Sequence, residues 1–170
     1  SHAGIAGSAY RESGKSGRRG TAAARKTMVK AKKYFIVFLA VSILTVLLDQ
    51  FSKYAVDKIR PEWGLGFMSI HFVHNTGAGF GILKGQTGLL AFISALAALA
   101  VIFFYKKIPQ EKIPQILFGL FLGGVVGNLI DRTFRGYVID FFDLSFWPVF
   151  NIADMAISLS VIGLALYYWK

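Results

Sequence analysis

The chain has no cysteine, which excludes disulfides, a thiolate nucleophile and any thiolate-ligated metal. Charge is scarce as well: only 16% of the 170 residues are Asp, Glu, Lys or Arg, against about a quarter in an ordinary soluble domain. Acids are the rarer sign, nine against 19 basic residues. Neither a G-x-S-x-G elbow nor a phosphate-binding P-loop occurs. Ser42, Ser94, Ser158 and Ser160 lie in apolar runs with no His or Lys beside them, which argues against a serine nucleophile. His71 and His74 lack a third ligand at metal spacing, so no zinc site is expected.

What the chain has instead is apolar sequence. Hydrophobic residues make up 55%, and 16 are Phe. Four runs stand out: Tyr34 to Leu48, Gly88 to Tyr105, Ile116 to Ile130, and Ile152 to Trp169, the last broken only by Asp154. A membrane helix takes about 20 residues. The first and third runs are slightly short unless Asp49 and Asp131 are carried to membrane depth. The first run is followed by Asp-Gln-Phe-Ser-Lys rather than by a small-residue cleavage site, so it reads as a retained span. Half of the +10 net charge lies in residues 1–27, a Gly-, Ala-, Ser- and Arg-rich stretch with almost no large apolar groups. This stretch is expected to be disordered, an appended basic tag or linker. A nucleic-acid arm is the rival reading, and no nucleic acid is expected as a partner.

Lysine is dense in 28–33, 106–113 and 170 and thinly spread over 49–87 and 131–151. The positive-inside rule then puts both termini in the cytoplasm and the two long connections outside. The first connection contains Gly-Leu-Gly-Phe-Met-Ser-Ile-His-Phe-Val-His-Asn, an imperfect alternation that predicts a strand or small sheet lying on the membrane. The expected fold is an all-α integral membrane domain over 28–170, with four transmembrane helices. A small extracytoplasmic β-rich element sits between spans 1 and 2.

Ionisable groups at membrane depth are costly, and each is a functional candidate by default. Here they gather at the outward ends of the spans. Asp49 and Lys53 are spaced for an ion pair on one helical face, whether structural or catalytic. Asn128, Asp131 and Arg132 share a face, behind Gly119, Gly123 and Gly127 at the spacing of close helix packing. Asn151 and Asp154 fit an N-cap and an acid at N3, a capping role compatible with chemistry. Asp140, between Val-Ile and Phe-Phe in a connecting loop, is expected in an apolar setting, and Asp143 in a wetter one. Asp140 and Asp154 at one depth are the makings of an aspartyl pair, in which one acid stays protonated and the other activates water. Carboxylates in membranes also carry protons in transport, so the spacing leaves both readings open.

Five blocks in order resemble the lipoprotein signal peptidase family, signal peptidase II. They are Asp49-Gln-Phe-Ser-Lys53, Asn75-Thr-Gly-Ala-Gly-Phe-Gly81, Gly123-Gly-Val-Val-Gly-Asn-Leu-Ile-Asp-Arg132, Val138-Ile-Asp-Phe141, and Trp147-Pro-Val-Phe-Asn-Ile-Ala-Asp154. Three departures accompany them: Gly79 stands where the family commonly has Ala, Trp147 stands where it has Phe, and the stretch from Asp140 to Asp154 is short.

The resemblance implies an aspartyl endopeptidase of the bacterial cytoplasmic membrane, with its active site near the outer leaflet. Its substrates are diacylglyceryl-modified prolipoproteins, cut just before the lipidated cysteine. It implies Asp140 and Asp154 as the catalytic pair and Asn75, Asn128, Arg132 and Asn151 as polar lining. Asp49, Lys53 and Asp131 fall into support. Membrane lipid and globomycin-type cyclic peptides are the other implied partners; no metal or other cofactor is called for, and a monomer is expected. The alternatives are a small proton-coupled transporter, which should show repeated halves with broken helices, and a non-enzymatic lipid-binding protein.

Overall fold

A proline ends the first long helix. In the computed structural model, α1 (Ala3–Ile59) stops where Arg60 turns to a φ of +49° ahead of Pro61, a residue that disfavours helix at the position before it. The structure describes residues 3–169, with side chains at Arg25 and from Met28 onward except Leu65 and Phe80. Apart from Arg25 and the helical backbone, the basic stretch expected to be disordered lies outside the described residues.

The remaining helices are α2 (Thr87–Phe103), α3 (Lys112–Phe134) and α4 (Ile152–Tyr168). They fall on the apolar runs, but α1 continues ten residues beyond Asp49 and α3 three beyond Asp131. Both aspartates are therefore inside helices, fully buried. Met28–Ile59 and Lys112–Phe134 are long and apolar enough to cross a membrane, and α2 and α4 are shorter apolar helices.

Central α3 packs against α1, α2 and α4, and its glycines explain how closely. A Cβ at Gly123 would stand 2.6 Å from the Thr45 side chain and 2.7 Å from the Ser42 carbonyl of α1. Gly119 and Gly124 meet Phe38 of α1 and Ala153 of α4 in the same way. Phe38, Ala98, Val101, Leu122 and Val125 fill the core between α1, α2 and α3. Outward, Leu44, Leu47, Phe92, Leu99, Leu159 and Ile162 are exposed, while Asp49, Lys53, Asn128, Asp131 and Asn151 are buried. Apolar outside and polar inside is the arrangement that a lipid solvent rewards and water penalises.

The β-rich element is a three-stranded antiparallel sheet, β1 (Glu62–Leu65), β2 (Met68–Asn75) and β3 (Val138–Asp143), in the order β1-β2-β3. Gly66, at a φ of +58°, makes the two-residue β1–β2 turn. The sheet is not confined to the first connection as the sequence led us to expect: its third strand comes from the connection between α3 and α4. Asp140, expected in a loop, lies on this strand opposite Val73. The alternation of Tyr-Val-Ile-Asp-Phe-Phe is too apolar on both faces to read as a surface strand, and both faces are in fact covered over Val138–Phe141.

Candidate active site

A strand register irregularity and a helix cap bring the polar residues together. A register irregularity between Ile70 and Val73 sets Val73 opposite Asp140 and Asn75 opposite Val138. Asn75 is thereby the diagonal same-face neighbour of Asp140, and its Nδ2 donates to Asp140 Oδ2 at 2.8 Å. Asn151 starts α4 in a capping box: its Oδ1 accepts from the Asp154 backbone N–H, and Asp154 Oδ2 accepts from the Asn151 N–H. The cap side chain still has its amide N–H groups free for other work. Asn151 Nδ2 donates to Asp140 Oδ1 at 2.6 Å and to Asn128 Oδ1 at 3.2 Å. Asn128, from α3, donates its Nδ2 to Asp154 Oδ1 at 2.8 Å. The cap of one helix thus joins two carboxylates that are 14 positions apart in the chain.

Beneath this layer Lys53 Nζ contacts Asp49 Oδ2 and Asp131 Oδ2 at 2.8 Å each and donates to Asn128 Oδ1 at 3.0 Å. Asp49 Oδ1 accepts from the Ala153 N–H of α4. Asp131 Oδ1 accepts from Gln50 and from Arg135. All these charges are compensated, the condition for burying them.

Burial, and next the negative charge of Asp154, push the Asp140 carboxyl up to about 7, against the opposing hydrogen bonds of Asn75 and Asn151 and the more distant charge of Lys53. A carboxyl with that value exchanges its proton near neutrality, as an acid–base catalyst must.

A cavity of about 210 Å3 opens beside the pair, lined by Asn75, Arg132, Trp147 and Asp154 among others. Next to it lies a more apolar trough of about 340 Å3 that includes Phe146, Trp147, Met155 and Leu159. Arg132 lines the first cavity, and its guanidinium donates to the Gly77 carbonyl at 3.4 Å. Among the described hydrogen bonds none joins Arg132 to either aspartate. The other eight candidate residues form one hydrogen-bonded and ion-paired network. Gln50 and Arg135 belong to it too, and were not singled out from the sequence. Arg135 is four residues after Asp131, the same spacing that flagged Asp49 and Lys53. Asp143 is half-buried and accepts from the Ser145 N–H, a wetter setting than that of Asp140.

The model of the family described as signal peptidase (SPase) II matches residues 41–170. This chain belongs to the signal peptidase II family. A lipoprotein signal peptidase of Moorella thermoacetica is 39% identical over 139 residues, covering 78% of this chain and 91% of the relative. One from Synechocystis is 38% identical over 141 residues, 78% of this chain and 86% of that one. The structure is similar to a solved bacterial membrane enzyme with a TM-score of 0.74 at 28% identity, over 78% of this chain and 87% of the other. Family membership makes the chain a peptidase, and the transporter reading has no support. All five blocks quoted from the sequence lie inside the matched residues, and each contributes at least one side chain to the network or its cavity.

Proposed function

We propose that the chain is an aspartyl endopeptidase of the bacterial inner membrane, removing signal peptides from diacylglyceryl-modified prolipoproteins just before the lipidated cysteine. The observation that carries the aspartyl mechanism is the joining of Asp140 and Asp154 through Asn151 at the edge of an open cavity. In this reading all four helices cross the membrane as a monomer. Both termini are cytoplasmic, and the sheet lies at the outer leaflet.

Asp154 stands at N3 of α4, where the helix dipole favours a negative charge. It is the base. Asp140, with its carboxyl near 7, is the acid. Water attacks the scissile carbonyl carbon while Asp154 takes a water proton and the Asp140 proton goes to the carbonyl oxygen, giving a neutral gem-diol. Collapse breaks the C–N bond. The proton held on Asp154 passes to the leaving nitrogen, and a diol proton returns to Asp140. No metal is needed for water activation by two carboxylates. Asn75, Asn128 and Asn151 hold the two carboxyl groups in position, and Arg132 lines the cavity where the peptide would lie. The apolar trough beside Asp154 offers a surface for the lipid-bearing or signal-helix part of the substrate.

The test is a gel-shift processing assay with purified protein and a diacylglyceryl-modified prolipoprotein. The substrate should lose its signal peptide, and a globomycin-type inhibitor should stop the loss. Failure to cleave a lipidated substrate, or equal cleavage of the unlipidated one, would remove this reading.

A further inference from the structure

We propose that Lys53 is a positioning residue of the aspartyl pair: its buried ammonium, which touches neither catalytic carboxyl, sets the orientation of the Asn128 amide and so makes Asn128 a donor to Asp154. The proposal rests on the aspartyl reading above and adds to it the group that holds the pair in its working arrangement.

The argument is one of inventory. Lysine has three N–H donors and no acceptor. Lys53 is fully buried, and its donors go to Asp49, Asp131 and Asn128 Oδ1. An amide presented to such a group must offer oxygen. Asn128 therefore turns its Nδ2 away from Lys53, and that nitrogen is the donor to Asp154 Oδ1 at 2.8 Å. The same Asn128 oxygen accepts from Asn151 Nδ2, so Asn151 must also present nitrogen on that side. That nitrogen reaches Asp140 Oδ1 at 2.6 Å, leaving Asn151 Oδ1 for the Asp154 N–H of the cap. Lys53 fixes the Asn128 amide, and the donor-only Asp154 N–H of the cap fixes the Asn151 amide in the matching direction. Rotated by half a turn, the Asn128 amide would aim oxygen at the Asp154 oxygen, and the two acceptors would meet unless Asp154 took up the proton. The base would then be lost.

Asp49 and Asp131 are the counter-charges of Lys53, with Arg135 closing the Asp131 side. The charge of Lys53 itself and that of Arg132 of α3 act on Asp154, and Asp154 in turn acts on Asp140 of β3. Removing Lys53 alone would leave Asp49 without a counter-charge, so the comparison is made on an Asp49→Asn background, where each Lys53 double variant keeps Asp131 balanced by Arg135. There, Lys53→Gln retains an N–H donor without charge, and Lys53→Met retains neither.

The readouts are the pH–rate profile of cleavage, and the fraction of protonated carboxyl measured by infrared titration of the detergent-solubilised protein, which needs no turnover. D49N/K53M should lower kcat on the order of 10–100-fold, the scale of lost outer partners, with KM within about twofold and the acid limb moved to higher pH by about one unit, a tenfold change in proton affinity. D49N/K53Q should recover most of the kcat and keep the acid limb near that of D49N. Equal shifts in both double variants would mean that charge alone matters and would overturn the proposal. So would equal losses of kcat that follow melting temperature with no movement of the titration. Should neither double variant melt cooperatively, wild-type protein labelled with 15N-asparagine decides. Asn128 amide protons with no Overhauser contact to the Lys53 side chain support the proposal, and amide protons facing Lys53 overturn it. A wild-type protein with Asn128 so oriented that yet cleaves no lipoprotein would refute the peptidase reading and leave the wiring intact.

Discussion

Asp140 is 1% exposed, and the two asparagines that donate to it do not offset what burial and Asp154 cost its charged form. In the proposed mechanism Asp140 must hold a proton, which is present below about 7 and removed as pH rises through it, so the basic limb of the cleavage profile should fall there. The sign carries over to stability. The folded value, about 7, lies above the 3.8 of a free side chain, so the native state binds this proton more tightly than the unfolded chain does. The stabilisation is complete at low pH and is lost between about pH 4 and about pH 7. Asp140→Asn removes the dependence, so its melting temperature should fall less than that of wild type as pH rises from about 4 to about 8. Asp140→Asn and Asp154→Asn should each lower cleavage about 100–10,000-fold, the range for a positioned proton donor or acceptor, with cooperative melting retained. Near wild-type turnover in either variant would take that residue out of the pair. Infrared spectra in the carboxyl region assign the resting proton, expected on Asp140; finding it on Asp154 would exchange the acid and base.

At the level of single elements, α3 is the helix that decides where everything else sits. Its glycines let α1 and α4 approach until Asp49 meets Gly127 and the Ala153 N–H, so the ion-paired layer exists only if that approach is kept. Gly123→Ala should destabilise the protein by about 1–3 kcal/mol through overpacking, because its methyl group would stand 2.7 Å from the Ser42 backbone carbonyl, which cannot turn aside as a side chain can. A melting curve in detergent checks this; an unchanged midpoint would mean that the helices have slack. The capping box of α4 shows one residue filling two roles. Asn151 completes the helix start with its oxygen and binds Asp140 with its nitrogen, so the cap is compatible with the proposed active-site role of Asn151 and Asp154.

For the whole molecule, the proposed orientation follows from the lysine distribution, with the sheet expected outside and the α2–α3 turn inside. The absence of cysteine makes this directly testable. Single variants Phe67→Cys, at the exposed β1–β2 turn, and Lys106→Cys, in the exposed turn after α2, place one thiol in each of these two connections. In intact spheroplasts a membrane-impermeant maleimide should label Phe67→Cys and leave Lys106→Cys unlabelled until the cells are broken. The opposite pattern would invert the topology, and labelling of both would overturn the four-span arrangement.

Composition and the spacing of apolar runs were enough to locate the helices, because in a lipid-facing chain hydropathy is nearly the whole of the local signal. Spacing of three and four also paired Asp49 with Lys53 and Asn151 with Asp154, since partners within one helix are neighbours by construction of the helix itself. Contacts between elements had no such signal. That Asp140 lies on a strand, that Asn75 faces it across an irregular register, and that Gln50 and Arg135 close the Asp131 side all depend on how the sheet and α3 dock. Periodicity is a property of neighbours along one chain segment. The joining of two aspartates through the cap of a helix is a property of packing, decided only when glycines of α3 bring three separate segments within hydrogen-bonding distance.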